Sequence, residues 1–210
     1  GKQGEENHLV VRNPIEAPHS TENLREELGI PKDAFVFGRI GRDDENIYDP
    51  INIEAYAKVA TSNTYFVIVN PSRSSRADIK RHNITSTRFI ERTTSEVRLS
   101  QFYNTIDVLA HARLDGECNS AAIFEAAAHR KPVISHYGTT FNGHMETIQN
   151  SGFVVLRNDV DEYAKIMKAF IDGDIDYEAL SQNAYEQWEK VTSEKMSILQ
   201  LNIYKELIER

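Results

Sequence analysis

Two glutamates with seven residues between them, Glu117 and Glu125, stand in the segment Asp115-Gly-Glu-Cys-Asn-Ser-Ala-Ala-Ile-Phe-Glu125. A strand-like run, Ile106 to Ala110, precedes the segment, and an alanine-rich helix and the run Lys131 to Ser135 follow it. A strand, a short polar loop and a helix start carrying an acid can together hold a phosphate and a sugar diol. Asn119 and Ser120 are residue types that cap helices. The free backbone N–H groups at such a start, with the helix dipole, favour a bound phosphate. Gly116 lets the backbone bend close to a ligand. Glu125 falls about one and a half turns into the helix, among alanines that permit close approach. A carboxylate there can accept two hydrogen bonds from a ribose diol, as acidic residues do in dinucleotide sites. The plainer reading is a solvated acid or a partner of Arg130. Glu117 reads either as a surface loop acid or as a contact to a sugar hydroxyl. A third reading makes the two glutamates a glycoside-hydrolase pair. That pair needs two carboxyls facing one scissile bond, which spacing in the sequence does not establish.

Arg42 follows Gly41 directly after an apolar run. Its guanidinium could clamp a diphosphate through two parallel bonds, or pair with Asp43 or Asp44 on the surface. The acidic run Asp43-Asp44-Glu45 has no partner cluster and reads as a solvated loop rather than a metal site. Arg73 and Arg76 lie after the next strand, where they would add positive charge near an anionic ligand or belong to a plain polar loop. His111, His136 and His144 fall on or near the same edge without metal-ligand spacing, and each reads as polar lining or surface. Cys118 is expected to be a small buried residue beside Glu117, with nothing to mark it as a nucleophile. Asn83-Ile-Thr85 matches a glycosylation sequon, a weak signal without a secretory segment.

The elements that would position these residues follow from patterning. A chain of 210 residues suffices for one α/β domain with a real core. The net charge of −8 argues against nucleic acid as a general partner, because phosphate contacts need a basic surface. The single cysteine excludes an intrachain disulfide and a cysteine metal cluster. No apolar run approaches the length of a bilayer span, so the reading is a cytoplasmic protein or one peripheral to a membrane. Gly1 to Asn7 reads as a frayed polar segment, His8 to Arg12 as a short apolar run, and Thr21 to Leu28 as a helix capped by Ser20 or Thr21. Strands are expected at Ala34–Ile40, Tyr65–Val69, Thr87–Ile90, Ile106–Ala110, Val133–Ser135 and Phe153–Leu156. Helices are expected between them, and Tyr177 to Arg210 reads as helical. Short apolar strands alternating with helices imply an α/β fold, a Rossmann-like doubly wound six-stranded parallel sheet of order 3-2-1-4-5-6. In that order the crevice opens beyond the carboxyl ends of strands 1 and 4. The loop Gly41 to Asp44 and the loop His111 to Asn119 therefore meet at one place.

From about Leu9 to Gly173 the chain resembles the family-4 (group 1) glycosyltransferases. Val10 to Glu16 resembles the segment entering their C-terminal half. Phe37-Gly-Arg-Ile-Gly-Arg42 resembles the strand and Gly-Arg turn that meet the donor diphosphate. Ile106 to Ser135 resembles the block of two acids seven residues apart with its Pro-Val strand, and Glu146 to Val155 the short acidic helix and strand beyond it. The resemblance implies the C-terminal, donor-binding half of a two-domain GT-B fold with extra C-terminal helices. It further implies transfer of a hexose from a nucleotide sugar, with retention and without a metal or other cofactor. UDP- or GDP-sugars are the expected donors, and a glycan or lipid-linked molecule bound by an N-terminal domain is the expected acceptor. Arg42 and Gly41 would meet the diphosphate. Glu117 and the backbone from Cys118 to Ser120 would meet the sugar and phosphate, and Glu125 the ribose.

The expected divisions are a linker over 1–20, the nucleotide-sugar domain over 21–175, and helices over 176–210 that pack on the acceptor domain. Met196, Leu199, Ile203 and Leu207 would then form an exposed apolar stripe, and the chain alone would bind donor without transferring it. One departure stands out. The family places a lysine five residues after this arginine, and here that position is Ile47. Arg73, Arg76 or Arg39 would have to compensate. The competing readings are a non-catalytic nucleotide-sugar-binding module and a GT-B-like sugar epimerase. A phosphorylase lacks a convincing pyridoxal lysine here, and an oxidoreductase lacks the Gly-x-Gly-x-x-Gly turn.

Overall fold

The computed structural model describes residues 11–209, so the segment Gly1 to Asn7 and most of the run from His8 to Arg12 lie outside the described residues. The strands are β1 (Phe35–Ile40), β2 (Thr64–Val69), β3 (Thr87–Ile90), β4 (Val108–Ala110), β5 (Gly116–Glu117), β6 (Val133–His136), β7 (Phe141–Asn142) and β8 (Gly152–Val155). The helices are α1 (Ile51–Val59), α2 (Arg73–Arg81), α3 (Glu96–Thr105), α4 (Ala121–Ala128), α5 (His144–Ile148), α6 (Val160–Asp172), α7 (Tyr177–Glu189) and α8 (Ser193–Ile208). Six strands form one parallel sheet in the order β3-β2-β1-β4-β6-β8. This is the doubly wound order expected from the alternation of elements.

Both faces of the sheet are buried, which is why its strands are nearly all apolar. Phe37, Phe66, Ile68, Val108 and Ile134 point to one face, with Ile53 and Tyr56 of α1 and Tyr163 and Met167 of α6. Val36, Val67, Leu109 and Val133 point to the other, with Phe102 and Tyr103 of α3 and Ile123 and Ala126 of α4. Gly38 makes the second face possible. A Cβ there would lie 2.5 Å from Ile106 Cγ2.

Thr21 to Leu28 is not a helix. The backbone N–H of Leu24 is taken by Thr105 Oγ1 at 2.8 Å. Ile30 N donates to Arg25 O and Gly29 N to Glu26 O, with Gly29 at φ +62°. These bonds close a Schellman-type turn after a single helical turn. Gly29 stops the segment as its sequence predicts, but the side-chain bond at Leu24 replaces the helix start. The C-terminal helical region is also divided. Val191 is buried between α7 and α8, Ile15 N donates to Val191 O at 3.0 Å, and Trp188 Nε1 donates to Ile15 O at 3.1 Å. On α8 the expected stripe is exposed at Leu207 and half-buried at Leu199 and Ile203. Met196 is buried, while Ile198, Leu201, Tyr204, Leu207 and Ile208 are exposed.

Asp107 ties three elements together just before β4. Its Oδ2 accepts from Val36 N at 2.7 Å, and both carboxylate oxygens accept from Arg25 Nη2, at 3.2 and 3.0 Å. Tyr177 Oη at the start of α7 donates to its carbonyl at 2.8 Å. Asp107→Ala leaves the Val36 N–H without its acceptor and the Arg25 guanidinium with backbone carbonyls alone, and the expected loss is about 2–4 kcal/mol. Urea denaturation should show a lower midpoint at unchanged slope.

Candidate functional site

The sheet opens between β1 and β4. These strands pair only at Phe37 with Val108 and Gly38 with Leu109, whereas β1 pairs with β2 along all six residues. Beyond Gly38 and Leu109 they part, and a cavity of about 300 Å³ lies at their carboxyl ends. Its walls come from Arg39 to Arg42, Ile47 and Tyr48 on one side and from His111 to Arg113, Glu117, Asn119, Ala121 and Ala122 on the other. Leu114 N donates to Ile47 O at 3.0 Å, so the two loops are joined by their backbones.

Glycines shape the second loop. Gly116 stands at φ +71°, and a Cβ on it would lie 1.8 Å from Phe141 O. Gly143 is equally close to the loop, since a Cβ there would lie 2.3 Å from Cys118 O. Close approach lets β5 pair with β7 in a small parallel sheet that patterning did not predict. Two residues per strand are too few to leave an alternating signal.

Gly41, Arg42, Glu117 and Asn119 all reach the cavity. The space beside Gly41 is open. Arg42 is exposed and makes no ion pair among the described residues, so the alternative pairing with Asp43 or Asp44 does not form. Ser120 occupies the N-cap position of α4 but its Oγ makes no capping bond, and Asn119 Oδ1 is also buried without a partner. The expected side-chain cap is therefore absent, and no side chain takes the first N–H groups of the helix. Cys118 is exposed rather than buried, because the pairing of β5 with β7 turns the following residue outward.

Glu125 lies one turn along α4 from Ala121 and Ala122, in a neighbouring cavity of about 220 Å³ between α3 and α4. Tyr103 Oη donates to its Oε2 at 2.7 Å. Arg130 bonds Gln182 and lies over the Tyr185 ring, so it does not neutralise Glu125. Glu117 and Glu125 line different cavities, which removes the hydrolase pair. Arg73 is exposed at the first turn of α2, outside the cavity lining. Ser72 caps that helix by accepting from Ser75 N. Arg76 pairs with Glu91 and stacks on Phe89. Neither arginine is in the cavity lining, whereas Ile47 is.

Arg39 and Arg113 stand there instead. Arg39 Nη1 donates to Asp49 O at 3.1 Å and Asn52 Oδ1 at 3.2 Å, and the guanidinium lies 4.7 Å from the centre of the Tyr48 ring. Burial lowers its pKa, and Tyr48 and Asp49 act against that shift. Arg113 forms a forked pair with Asp115, at 2.6 and 3.0 Å, and its Nη1 is 3.6 Å from Glu117 Oε1. No spacing rule singles out Arg113. Its only signal was membership of the loop after β4.

The three histidines are buried, not surface groups. His136 Nε2 accepts from Arg113 N at 3.2 Å, so its proton is on Nδ1, which donates to Tyr137 O at 2.9 Å. Burial lowers its pKa. His144 sits between Glu117 O, at 3.3 Å from Nδ1, and His136 O, at 3.0 Å from Nε2. His111 is pushed down to about 3, first by burial and then by the fields of His144 and His136. Among the described residues no group of three or more His, Cys, Asp or Glu could hold a metal ion.

His111 has a folded pKa far below its ordinary value of about 6.5, so the unfolded chain binds a proton that the native state refuses. Stability therefore falls as pH drops from about 6.5 towards 3, by up to ~1.4 kcal/mol per pH unit from this group. His136 and His129, also lowered, act in the same direction. Urea midpoints measured between pH 7.5 and 5 should fall for the native sequence and fall less for His111→Gln.

Three solved structures share the fold of the chain. A glycosyltransferase from Rickettsia africae ESF-5 superimposes with a TM-score of 0.78 at 20% identity, over 96% of this chain and 57% of that one. HepE from Anabaena, solved with UDP and glucose, gives 0.74 at 20% identity, over 89% and 51%. Sucrose-phosphate synthase from Thermosynechococcus elongatus gives 0.74 at 17% identity, over 96% and 53%. The chain thus spans a little over half the length of each, and at these identities the likeness is one of fold. No curated protein sequence matches the chain significantly. The family model of the group 1 glycosyl transferases matches residues 20–187, the sheet with its flanking helices through most of α7. By that match the chain belongs to the group 1 glycosyl transferases.

Proposed function

We propose that this chain is the donor-binding half of a retaining glycosyltransferase of family 4, which passes a hexose from a nucleoside-diphosphate sugar to a glycan or lipid-linked acceptor. The observation that carries the reading is the cavity at the parting of β1 and β4, where among the described residues Arg42 has no ion pair, Arg39 stands without a carboxylate partner within ion-pair distance, and α4 begins without a side-chain cap. Cationic and N–H groups with no internal anion favour an anionic ligand. Transfer breaks the bond between the anomeric carbon and the diphosphate oxygen, the electron pair leaves with the diphosphate, and the acceptor's hydroxyl oxygen bonds the anomeric carbon as its proton passes to the departing diphosphate. Arg42, Arg39 and the start of α4 would stabilise the charge that develops there. Glu117 would hold the sugar by a hydroxyl. Glu125, one turn along α4 from the cavity-lining Ala121 and Ala122, would meet the ribose, with Tyr103 fixing the carboxylate. The backbone at Cys118 to Ser120 would meet phosphate and sugar.

The linker, the nucleotide-sugar domain and the C-terminal helices divide the chain at about residues 20 and 175 in this reading. The exposed face of α8 would lie against the acceptor-binding part of a longer enzyme. Ile47 favours a second reading, a module that binds nucleotide sugars without transferring them, because the cavity wall lacks a cation at that position.

Calorimetric titration of the chain with UDP, GDP, ADP and CDP tests the donor reading. UDP is the first ligand to try, given the UDP complex of HepE. One diphosphate should saturate, and Arg42→Ala and Glu125→Ala should each weaken it by about tenfold or more, ~1.4 kcal/mol. Absence of binding by all four would overturn it. In a full-length enzyme, loss of transfer in Arg42→Ala supports catalysis, and unchanged function supports the binding module. The chain by itself should release no sugar to an acceptor, and turnover at a rate comparable to a full-length enzyme would refute the half-enzyme reading.

A further inference from the structure

His111 is the first residue after β4, and its backbone is held on both sides. Its N–H donates to Ile134 O at 2.8 Å, and its carbonyl accepts from Tyr163 Oη at 3.2 Å. The side chain is only 5% exposed, yet it lines the cavity at the parting of β1 and β4. Its Nε2 has no hydrogen-bond partner. A buried polar atom left unpaired is unfavourable, so a retained orphan at a cavity wall points to a ligand that satisfies it. The nearest acidic atom is Glu117 Oε1 at 3.7 Å, too far for a direct bond. That separation is small enough for one oxygen, about 2.8 Å from each, to touch both.

We propose that His111 Nε2 and Glu117 Oε1 together read a single hydroxyl of the donor sugar, which makes His111 a specificity-determining residue. An ionised carboxylate only accepts, so the hydroxyl donates its proton to Glu117 and accepts from His111 Nε2–H. This assigns the ring proton of His111 to Nε2. A hydroxyl donates and accepts through one oxygen atom, and neither a hydrogen nor a fluorine in its place can do both. The loss on removing it is amplified because both protein groups then stay unpaired. Arg113 completes the arrangement by standing 3.6 Å from the same Glu117 oxygen. His144 and His136 hold the loop by its backbone, at Glu117 O and Arg113 N.

The inference rests on the donor reading, and one experiment separates the two. The chain is titrated with UDP, UDP-glucose and UDP-glucose analogues deoxygenated at one ring position each, with GDP and GDP-mannose analogues as the second series. The native sequence should lose about tenfold or more in affinity at one position, ~1.4 kcal/mol. His111→Phe, which keeps a ring without polar atoms, should bring the intact and deoxygenated donors to equal affinity. His111→Gln, whose amide nitrogen reaches towards the Nε2 position, should restore part of the difference. Glu117→Gln should lose discrimination at the same position, and the double variant should lose no more than either single one. Failure of UDP, GDP, ADP and CDP alike to bind the native chain would overturn the donor reading, and binding of ADP or CDP alone would move the same analogue series onto that base. Binding of UDP or GDP with discrimination equal in the native chain, His111→Phe and His111→Gln would overturn the role of His111 alone.

Discussion

Everything around the site depends on the short pairing of β1 with β4. Two strands that stay hydrogen-bonded to their ends leave no room between their following loops. Here the ladder stops at Gly38 and Leu109, and the helices after the two strands lie on opposite faces of the sheet. Arg39, Ile40 and Gly41 therefore diverge from Ala110, His111 and Ala112, and the space between them becomes the cavity. This is the geometry of a topological switch point in an open α/β sheet.

A cavity of that kind keeps its shape only if its loops are fixed, and the fixing is done by backbone rather than by side-chain packing. The bond from Leu114 to Ile47, the pairing of β5 with β7 and the two buried histidine contacts hold the loop after β4 at four places. Such close backbone approach requires Gly116 and Gly143, since any Cβ would collide with a carbonyl oxygen. The same enclosure withdraws water from His111 and His136 and keeps both rings neutral. The charges that remain at the cavity are then those of the arginines and Glu117. In a half-buried wall such charges act over short distances with little screening.

Membership of the group 1 family and the substitution at Ile47 meet in this cavity. The positive charge at the wall does not depend on residue 47, because Arg39 reaches the cavity from inside β1 and Arg113 from the opposite loop. Arg39 is held by Asn52 and Tyr48, which orient it without neutralising it. Arg113 is different, since Asp115 takes two of its donors.

The alternation of short apolar strands with helices determined the sheet, its order and the convergence of the loops after β1 and β4, because a two-sided parallel sheet admits few other arrangements. Gly41, Arg42, Glu117 and Asn119 could be placed at one crevice for the same reason. Tertiary structure alone decided what those residues touch. Leu24 gives its N–H to Thr105, from a part of the chain far away in sequence, and so the segment from Thr21 is a turn rather than a helix. Cys118 is exposed because a two-residue strand pairs beside it. Arg73 lies on the exposed first turn of α2, outside the cavity lining. His111 and Arg113 gained their place from the parting of two strands, which no spacing within their own loop encodes. Local sequence carries periodicity and capping, whereas burial and the partner of a polar atom are set by segments that meet only when the chain has folded.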